Sequence, residues 1–135
     1  MSANHAAVLG KPIQHSKSPS LHAAGYAALG LDWSYSAIEI GSDELPSFLA
    51  ERGTAYRGLS LTMPLKESAF ALAADVDEFA RVTGACTTLV PSAGSWRGWN
   101  TDVPGFIAAL QQSPRSALVL GGGATARSAL AALQQ

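Results

Sequence analysis

Short apolar segments alternate with stretches of helical spacing through most of this chain, and this order restricts the possible folds more than any other feature. Strands are predicted at residues 6–9, 33–40 and 58–62, and helices at residues 18–29, 45–52, 66–74 and 77–82. The first helix is expected to pack through an apolar stripe made of Leu21, Ala24, Ala28 and Leu29. Strands that alternate with helices are typical of an α/β domain with a mostly parallel sheet flanked by helices.

The second part of the chain departs from this alternation of strands and helices. Two further strands, at 86–90 and 96–99, are separated by a loop that contains a glycine, which predicts a β-hairpin. A helix at 103–111, a linker at 112–115, a strand at 117–120 and a helix at 124–133 follow. One strand and one helix cannot bury both faces of a sheet, so residues 113–135 are predicted to be the incomplete start of a second α/β domain.

The charge balance and the cysteine content exclude several classes of protein. Nine lysine and arginine residues against ten aspartate and glutamate residues give a net charge of -1, with no block of either sign. A nucleic-acid partner or a polybasic membrane patch is therefore not expected. The single cysteine, Cys86, excludes an internal disulfide and a multi-cysteine metal cluster, and it fits a reducing cytoplasm. Without an apolar run of about 18 residues or a signal peptide, the chain is predicted to be cytoplasmic, with no membrane partner.

Two hydroxyls precede the first predicted helix. Ser16 and Ser18 are two positions apart at a helix start, where both could donate to one carboxylate with help from free backbone N–H groups and the helix dipole. The alternative is that Ser18 only caps the helix and Ser16 only fills the loop. His15 and His22 flank the pair, but their spacing does not suit a metal, and no metal is expected.

Two further segments place ionisable side chains at strand ends. Thr62 follows the third predicted strand, and Lys66 stands at the next helix start, where it could serve as an acid–base group or simply pair with a carboxylate in solvent. Asp102 follows the last strand of the hairpin and precedes a helix. It could act only as a helix cap, or it could face Lys66 across the sheet edge and form a pair suited to proton transfer.

A glycine-rich turn opens the last predicted helix. Its residues are Gly121, Gly122, Gly123, Ala124 and Thr125. Glycines between a strand and a helix allow the backbone to approach a pyrophosphate, whose charge then lies at the helix N-terminus. The segment therefore indicates a dinucleotide site, although it fits the usual glycine pattern only if Ala126 takes the last position.

These segments, taken together and in order, resemble the shikimate dehydrogenase family, which includes the quinate/shikimate dehydrogenases. Residues 15–19 resemble its H-S-x-S-P motif, residues 62–66 its T-x-P-x-K motif and residues 84–89 its G-A-x-N-T-L motif. Residues 98–102 resemble G-x-N-T-D, and the turn at 121–125 resembles the start of an NADP domain. The resemblance implies a substrate-binding domain over residues 1–112 and an incomplete Rossmann NADP domain over 113–135.

The resemblance also implies a reaction and a role for each matched residue. The reaction would be the reversible reduction of 3-dehydroshikimate to shikimate with NADPH, in aromatic amino acid biosynthesis. Ser16 and Ser18 would hold the substrate carboxylate, and Thr62 and Thr87 would contact the ring hydroxyls. Lys66 and Asp102 would bind the reacting hydroxyl and transfer its proton, while Glu78 would approach the nicotinamide and residues 121–125 would bind the cofactor. The resemblance leaves open whether the protein forms a homodimer.

Three departures from the family pattern leave other functions open. Thr87 and Ser60 stand where the family usually has asparagine, and Ala124 stands where it usually has glycine. One alternative is a quinate/shikimate or aminoshikimate dehydrogenase that uses NAD(P). Another is a non-catalytic module that binds shikimate-like acids, although such a module would not need both Lys66 and Asp102.

Overall fold

The computed structural model describes residues 4–110 and 114–135, and its strands and helices follow closely the order expected from the sequence. The strands are β1 (Asn4–Gly10), β2 (Trp33–Glu39), β3 (Gly58–Leu61), β4 (Asp75–Val76), β5 (Thr88–Ser92) and β6 (Ser95–Trp99). The helices are α1 (Ser18–Ala28), α2 (Leu45–Glu51), α3 (Lys66–Leu72), α4 (Glu78–Thr83), α5 (Asp102–Ala109) and α6 (Ala124–Leu133), with a 3₁₀ turn at Gly53–Ala55.

The strands form one mixed sheet in the order β2-β1-β3-β5-β6-β4. Strand β1 pairs in parallel with β2 and β3, whereas β5 pairs antiparallel with both β3 and β6. The two-residue strand β4, which pairs in parallel with β6, was not predicted because it is too short to show a periodic pattern. The α/β fold predicted from the sequence is thus confirmed, with the hairpin inserted as its antiparallel part.

The hairpin between β5 and β6 is tighter than predicted. Ser92 pairs with Ser95, which leaves two turn residues, Ala93 and Gly94. Both have a positive φ, 48° and 79°, as a two-residue turn matched to the twist of the strands requires. The turn lies at one end of the paired strands, and Thr88 pairs with Trp99 at the other end.

One face of the sheet carries the main core. Leu9, Leu59, Leu65 and Leu89 are fully buried, and each contributes about 1.5–3 kcal/mol when it leaves water. Because side chains alternate along a strand, the neighbours of Leu59 and Leu61 in β3 point to the opposite face. On that face, the Tyr35 hydroxyl of β2 donates a hydrogen bond to Ser60 Oγ at 2.8 Å.

Helix α1 does not bury the apolar stripe that was predicted for it. No residue of α1 is buried, and Leu21 and Leu29 are 70% and 73% exposed. The contact with the sheet is aromatic instead, since the His22 ring stacks on Tyr35 of β2 with centroids 3.9 Å apart. The prediction was wrong because α1 lies against the edge of the sheet, where β2 offers aromatic side chains rather than a groove for leucines.

The strand predicted at 117–120 is not formed. Residues 116–120 have no regular structure, and Leu118 and Leu120 are 84% and 87% exposed. A strand needs a neighbour for its backbone hydrogen bonds, and none of the six described strands pairs with this segment. Residues 112 and 113, half of the predicted linker, and residue 111, the predicted end of the preceding helix, lie outside the described residues.

Helix α6 forms as predicted. It packs on α5 through a small apolar cluster of Val103, Ala131 and Ala132, with Phe79 and Phe106 beside it. Within residues 4–110 and 114–135, no helix has the length and apolar character needed to cross a membrane.

We expect the thiol of Cys86 to be inert in the folded protein and to make folding sensitive to alkaline pH. Cys86 is fully buried, and burial, followed by the nearby Asp77 carboxylate, raises the pKa of its thiol to about 11. An unfolded cysteine ionises near pH 8.5, so the unfolded chain loses its proton first and stability falls as the pH rises from about 8.5 towards 11. Urea unfolding of the wild type and of Cys86→Ala at pH 8 and pH 10.5 measures this loss in the free energy of unfolding.

The alanine variant is the control, because it lacks the ionising thiol and should lose less stability between the two pH values. Rapid reaction of the native protein with a thiol reagent at pH 8 would contradict the burial of Cys86.

Candidate active site

A lysine–aspartate ion pair lies at one edge of the sheet. The Nζ atom of Lys66, the first residue of α3, is 2.7 Å from Oδ2 of Asp102, the first residue of α5. The two side chains are only 14% and 30% exposed. The arrangement left open by the sequence, in which Asp102 faces Lys66, is the one observed, and it holds a proton donor and an acceptor in contact.

The topology explains why two residues far apart in sequence meet here. Strands β3 and β6 are both antiparallel to β5, so they run in the same direction and their carboxyl ends share one edge. Thr62 continues β3 by donating its N–H to Leu9 O at 2.9 Å, and a turn in which Leu65 N–H bonds Thr62 O at 2.8 Å leads into α3. Ligands of open α/β sheets bind at this edge.

Asn100 holds the Asp102 side of the pair in place. It is 1% exposed, and its Nδ2 donates to Thr83 Oγ1 at 2.8 Å and to Ser128 Oγ at 2.9 Å. Its Oδ1 accepts the backbone N–H groups of Asp102 at 3.0 Å and Val103 at 3.4 Å. One buried amide therefore connects α4 and α6 with the start of α5.

No functional role was predicted for Asn100, although it lies inside the G-x-N-T-D motif. The signal that could have identified it is a polar residue directly after a strand and before a helix, where a side-chain oxygen can accept the free N–H groups of the first turn.

A cavity of about 450 Å³ adjoins the ion pair and joins Lys66 to the glycine-rich turn. Its lining includes Thr62, Lys66, Gly121, Ala124 and Thr125. Lys66 Nζ also donates a hydrogen bond to Thr125 Oγ1 at 3.2 Å. Three parts of the predicted site, which are the lysine, the threonine that follows β3 and the glycine-rich turn, thus surround one space.

The glycine-rich turn has features that suit the pyrophosphate of a dinucleotide. Gly121 has a φ of 119°, a conformation that side chains rarely permit, and no atom lies within 4 Å of where its Cβ would be. Helix α6 begins after Gly123 without a side-chain cap, so its first N–H groups remain available to an anion. Of the residues predicted to bind the cofactor, Gly121, Gly123, Ala124 and Thr125 line the cavity, whereas Gly122 does not.

The two serines of the predicted carboxylate site lie together at the start of α1, outside the cavity lining. Ser18 is the first residue of α1 and its N–H donates to Ser16 Oγ at 3.3 Å. The alternative in which Ser18 caps the helix is wrong, because the N-cap residue is Lys17 and no side chain caps the helix. Two hydroxyls therefore share this helix start, where Ser18 N–H is already bonded to Ser16 Oγ and Pro19 has no N–H.

Two other predicted site residues are not brought to the cavity. The Thr87 side chain is buried, and its Oγ1 accepts the N–H of Thr101 at 2.8 Å and contacts Thr101 Oγ1 at 2.8 Å. Glu78 is exposed at the start of α4. Neither of them lines the cavity.

The mixed sheet and the ion pair define the chain as an α/β domain with a candidate site at the carboxyl edge of its sheet. The family model described as the shikimate dehydrogenase substrate binding domain matches residues 8–89. The chain belongs to this family, as its motifs indicated.

Relatives and solved structures agree with this assignment. The chain is 42% identical over 133 residues to "Shikimate dehydrogenase (NADP(+))" of Thermus thermophilus, a match that covers 96% of this chain and 51% of that protein. A crystal structure of shikimate 5-dehydrogenase from Thermus thermophilus in complex with NADP(H) and shikimate superposes with a TM-score of 0.92 at 41% identity, covering 97% of this chain and 52% of that one.

Mycobacterium tuberculosis shikimate dehydrogenase gives a TM-score of 0.89 at 44% identity, with 97% of this chain and 50% of that one covered. The chain thus spans about half the length of the relatives it matches.

Proposed function

We propose that this chain is the substrate-binding part of an NADP-dependent shikimate dehydrogenase, which reversibly reduces 3-dehydroshikimate to shikimate. The observation that carries the proposal is the Lys66–Asp102 ion pair, with its 2.7 Å contact, beside a cavity bordered by a helix start suited to a dinucleotide phosphate. Relatives that are named NADP-dependent shikimate dehydrogenases support the choice of substrate and cofactor.

The ion pair supplies the proton chemistry of the proposed reaction. NADP, when bound, supplies the acceptor for the hydride. In the oxidation direction, Lys66 as the neutral amine would accept the proton of the substrate hydroxyl and become an ammonium beside Asp102, as the hydroxyl carbon is oxidised to a ketone. In the reverse direction the ammonium stabilises the developing alkoxide and returns the proton, and Asp102 keeps Lys66 in place throughout.

The remaining residues are assigned to recognition of the substrate. Ser16 and Ser18 are assigned to the substrate carboxylate, because both hydroxyls can donate to one anion at the positive end of the α1 dipole. Thr62 lines the cavity beside Lys66 and is assigned to a ring hydroxyl. Thr87 is also assigned to the substrate. It would have to contact a ring hydroxyl through its own hydroxyl, which already contacts Thr101.

A second candidate is a dehydrogenase of the same family that acts on quinate or aminoshikimate with NAD(P). The engagement of Thr87 with Thr101 and of Ser60 with Tyr35 favours it, because both residues stand where the family usually offers an asparagine amide. A hydroxyl that is already bonded within the protein provides less directional bonding than an amide with two donors.

A substrate panel tests the proposal in the complete enzyme, in which this chain is joined to a nucleotide-binding part like that of its relatives. We expect kcat/KM for shikimate with NADP⁺ to exceed that for quinate by at least about tenfold, since one extra hydroxyl requires its own partner in the site, worth about 1.4 kcal/mol in binding. The rise in NADPH absorbance under steady-state conditions measures kcat/KM for each of the two acids. A higher kcat/KM for quinate would favour the second candidate, and binding without turnover of either acid would favour a non-catalytic module.

Location and assembly form a further part of the proposal. A cytoplasmic location is supported by the reduced thiol of buried Cys86, and the net charge of -1 supports a small-molecule ligand rather than a nucleic acid or a membrane surface. Whether the complete enzyme is a homodimer can be measured from its mass in solution in the same preparation.

A further inference from the structure

The ammonium group of Lys66 has three N–H donors, and the protein engages two of them. One donates to Asp102 Oδ2 at 2.7 Å and one to Thr125 Oγ1 at 3.2 Å. Among the residues that the structure describes, no third hydrogen bond to Nζ is present. Two acceptors on a tetrahedral nitrogen fix its rotation, so the direction of the third position is fixed as well.

The position of Thr125 does not depend on Lys66. Thr125 lies in the first turn of α6, and three contacts hold this helix against the rest of the fold. Ser128 Oγ accepts from the buried Asn100 amide at 2.9 Å. Arg127 Nε donates to Thr83 O at 2.7 Å, and its Nη2 forms an ion pair with Glu67 Oε1 at 2.5 Å. The hydroxyl is thus presented to the lysine by a helix that contacts other than the one to Lys66 hold in place.

A hydroxyl is also the chemical group that suits both protonation states of the lysine. Its oxygen accepts a hydrogen bond from the ammonium and equally from the amine, whose two remaining N–H groups then point to Asp102 and Thr125 and leave the lone pair at the third position. A second carboxylate in the same place would add negative charge and favour the ammonium over the amine.

We propose that Thr125 is a positioning residue of the proposed reaction, which orients Lys66 so that its third nitrogen position points to the substrate hydroxyl. The inference rests on the proposed function and assigns to Thr125 a role other than binding the cofactor. It also connects the start of α6 with proton transfer, because the turn that would hold the nucleotide phosphate directly precedes the residue that orients the lysine.

The test compares Thr125→Val, which keeps the shape, with Thr125→Ser, which keeps the hydroxyl, in the complete enzyme. We expect Thr125→Val to lower kcat by roughly 3- to 12-fold, the loss of one hydrogen bond, with shikimate KM and the NADPH dissociation constant changed less than about twofold. Thr125→Ser should restore most of kcat. NADPH binding is measured by its fluorescence, which does not depend on turnover.

A raised NADPH dissociation constant with a normal kcat at saturation would overturn the inference, since Thr125 would then bind the cofactor. An unchanged kcat in Thr125→Val would overturn it too. If the wild type does not oxidise shikimate, the proposed function fails, and the contact is then tested by NMR of the Thr125 methyl group. Its resonance should shift in Lys66→Met but not in Lys11→Met, and no shift would overturn the inference.

Discussion

Replacing Lys66 by alanine should lower kcat of the complete enzyme by roughly 10²–10⁴-fold, the usual contribution of a positioned acid–base group. Lys66 lines the cavity and its Nζ is 2.7 Å from Asp102 Oδ2, so its loss removes the proposed proton acceptor and takes this partner from the carboxylate. Shikimate KM should change much less, because the serines that are assigned to the carboxylate remain. Steady-state kinetics with saturating NADP⁺ separate the two parameters.

Lys11→Ala is the matched control, since Lys11 is exposed and makes no contact with the ion pair. Its kcat should stay within about twofold of the wild type. An unchanged kcat in Lys66→Ala, together with a strongly raised KM, would make Lys66 a binding residue and remove the main support for the proposed chemistry.

Replacing Asn100 by alanine should destabilise the fold by roughly 3 kcal/mol, the largest stability effect that we expect from a single polar residue here. The change leaves the half-buried N–H of Asp102 and the buried N–H of Val103 without their acceptor, and the buried hydroxyls of Thr83 and Ser128 without their donor. An unsatisfied buried polar group costs about 1–3 kcal/mol. Urea unfolding monitored by circular dichroism measures the difference.

Asn4→Ala provides the comparison, because the Asn4 amide bonds the exposed side chain of Arg57 at 2.8 Å. Its effect should stay within about 0.5 kcal/mol, as is usual for a surface contact. Equal destabilisation by the two substitutions would mean that the buried network does not contribute as the geometry indicates.

Strand order supported one of the two alternatives that the sequence left open for Asp102. Lys66 and Asp102 each follow a strand, and the carboxyl ends of strands that run in the same direction share one edge of a sheet, so the two side chains could meet there instead of Asp102 acting only as a helix cap. The family motifs gave the same two residues, and the ion pair is present in the structure.

The sequence was not sufficient where the outcome depends on which surfaces come into contact. The leucines of α1 have helical spacing, yet they point to solvent because His22 and Tyr26 face the aromatic edge of the sheet. Segment 117–120 has the composition of a strand, but composition cannot supply a neighbour for its hydrogen bonds. The bonds that Asn100 makes to α4 and α6 depend on packing between segments that are distant in sequence.

The two-residue turn of the β5–β6 hairpin has a practical consequence for labelling the protein. Ala93 and Gly94 are at the end of the hairpin away from Trp99, and Trp99 is the strand residue nearest to Asp102 in sequence. Exposed loop tips tolerate insertions well when the backbone hydrogen bonds beside them are kept. A fluorophore or an affinity peptide placed between Ala93 and Gly94 would thus report on the protein while the pairing of Thr88 with Trp99, and the edge that carries the chemistry, stay as they are.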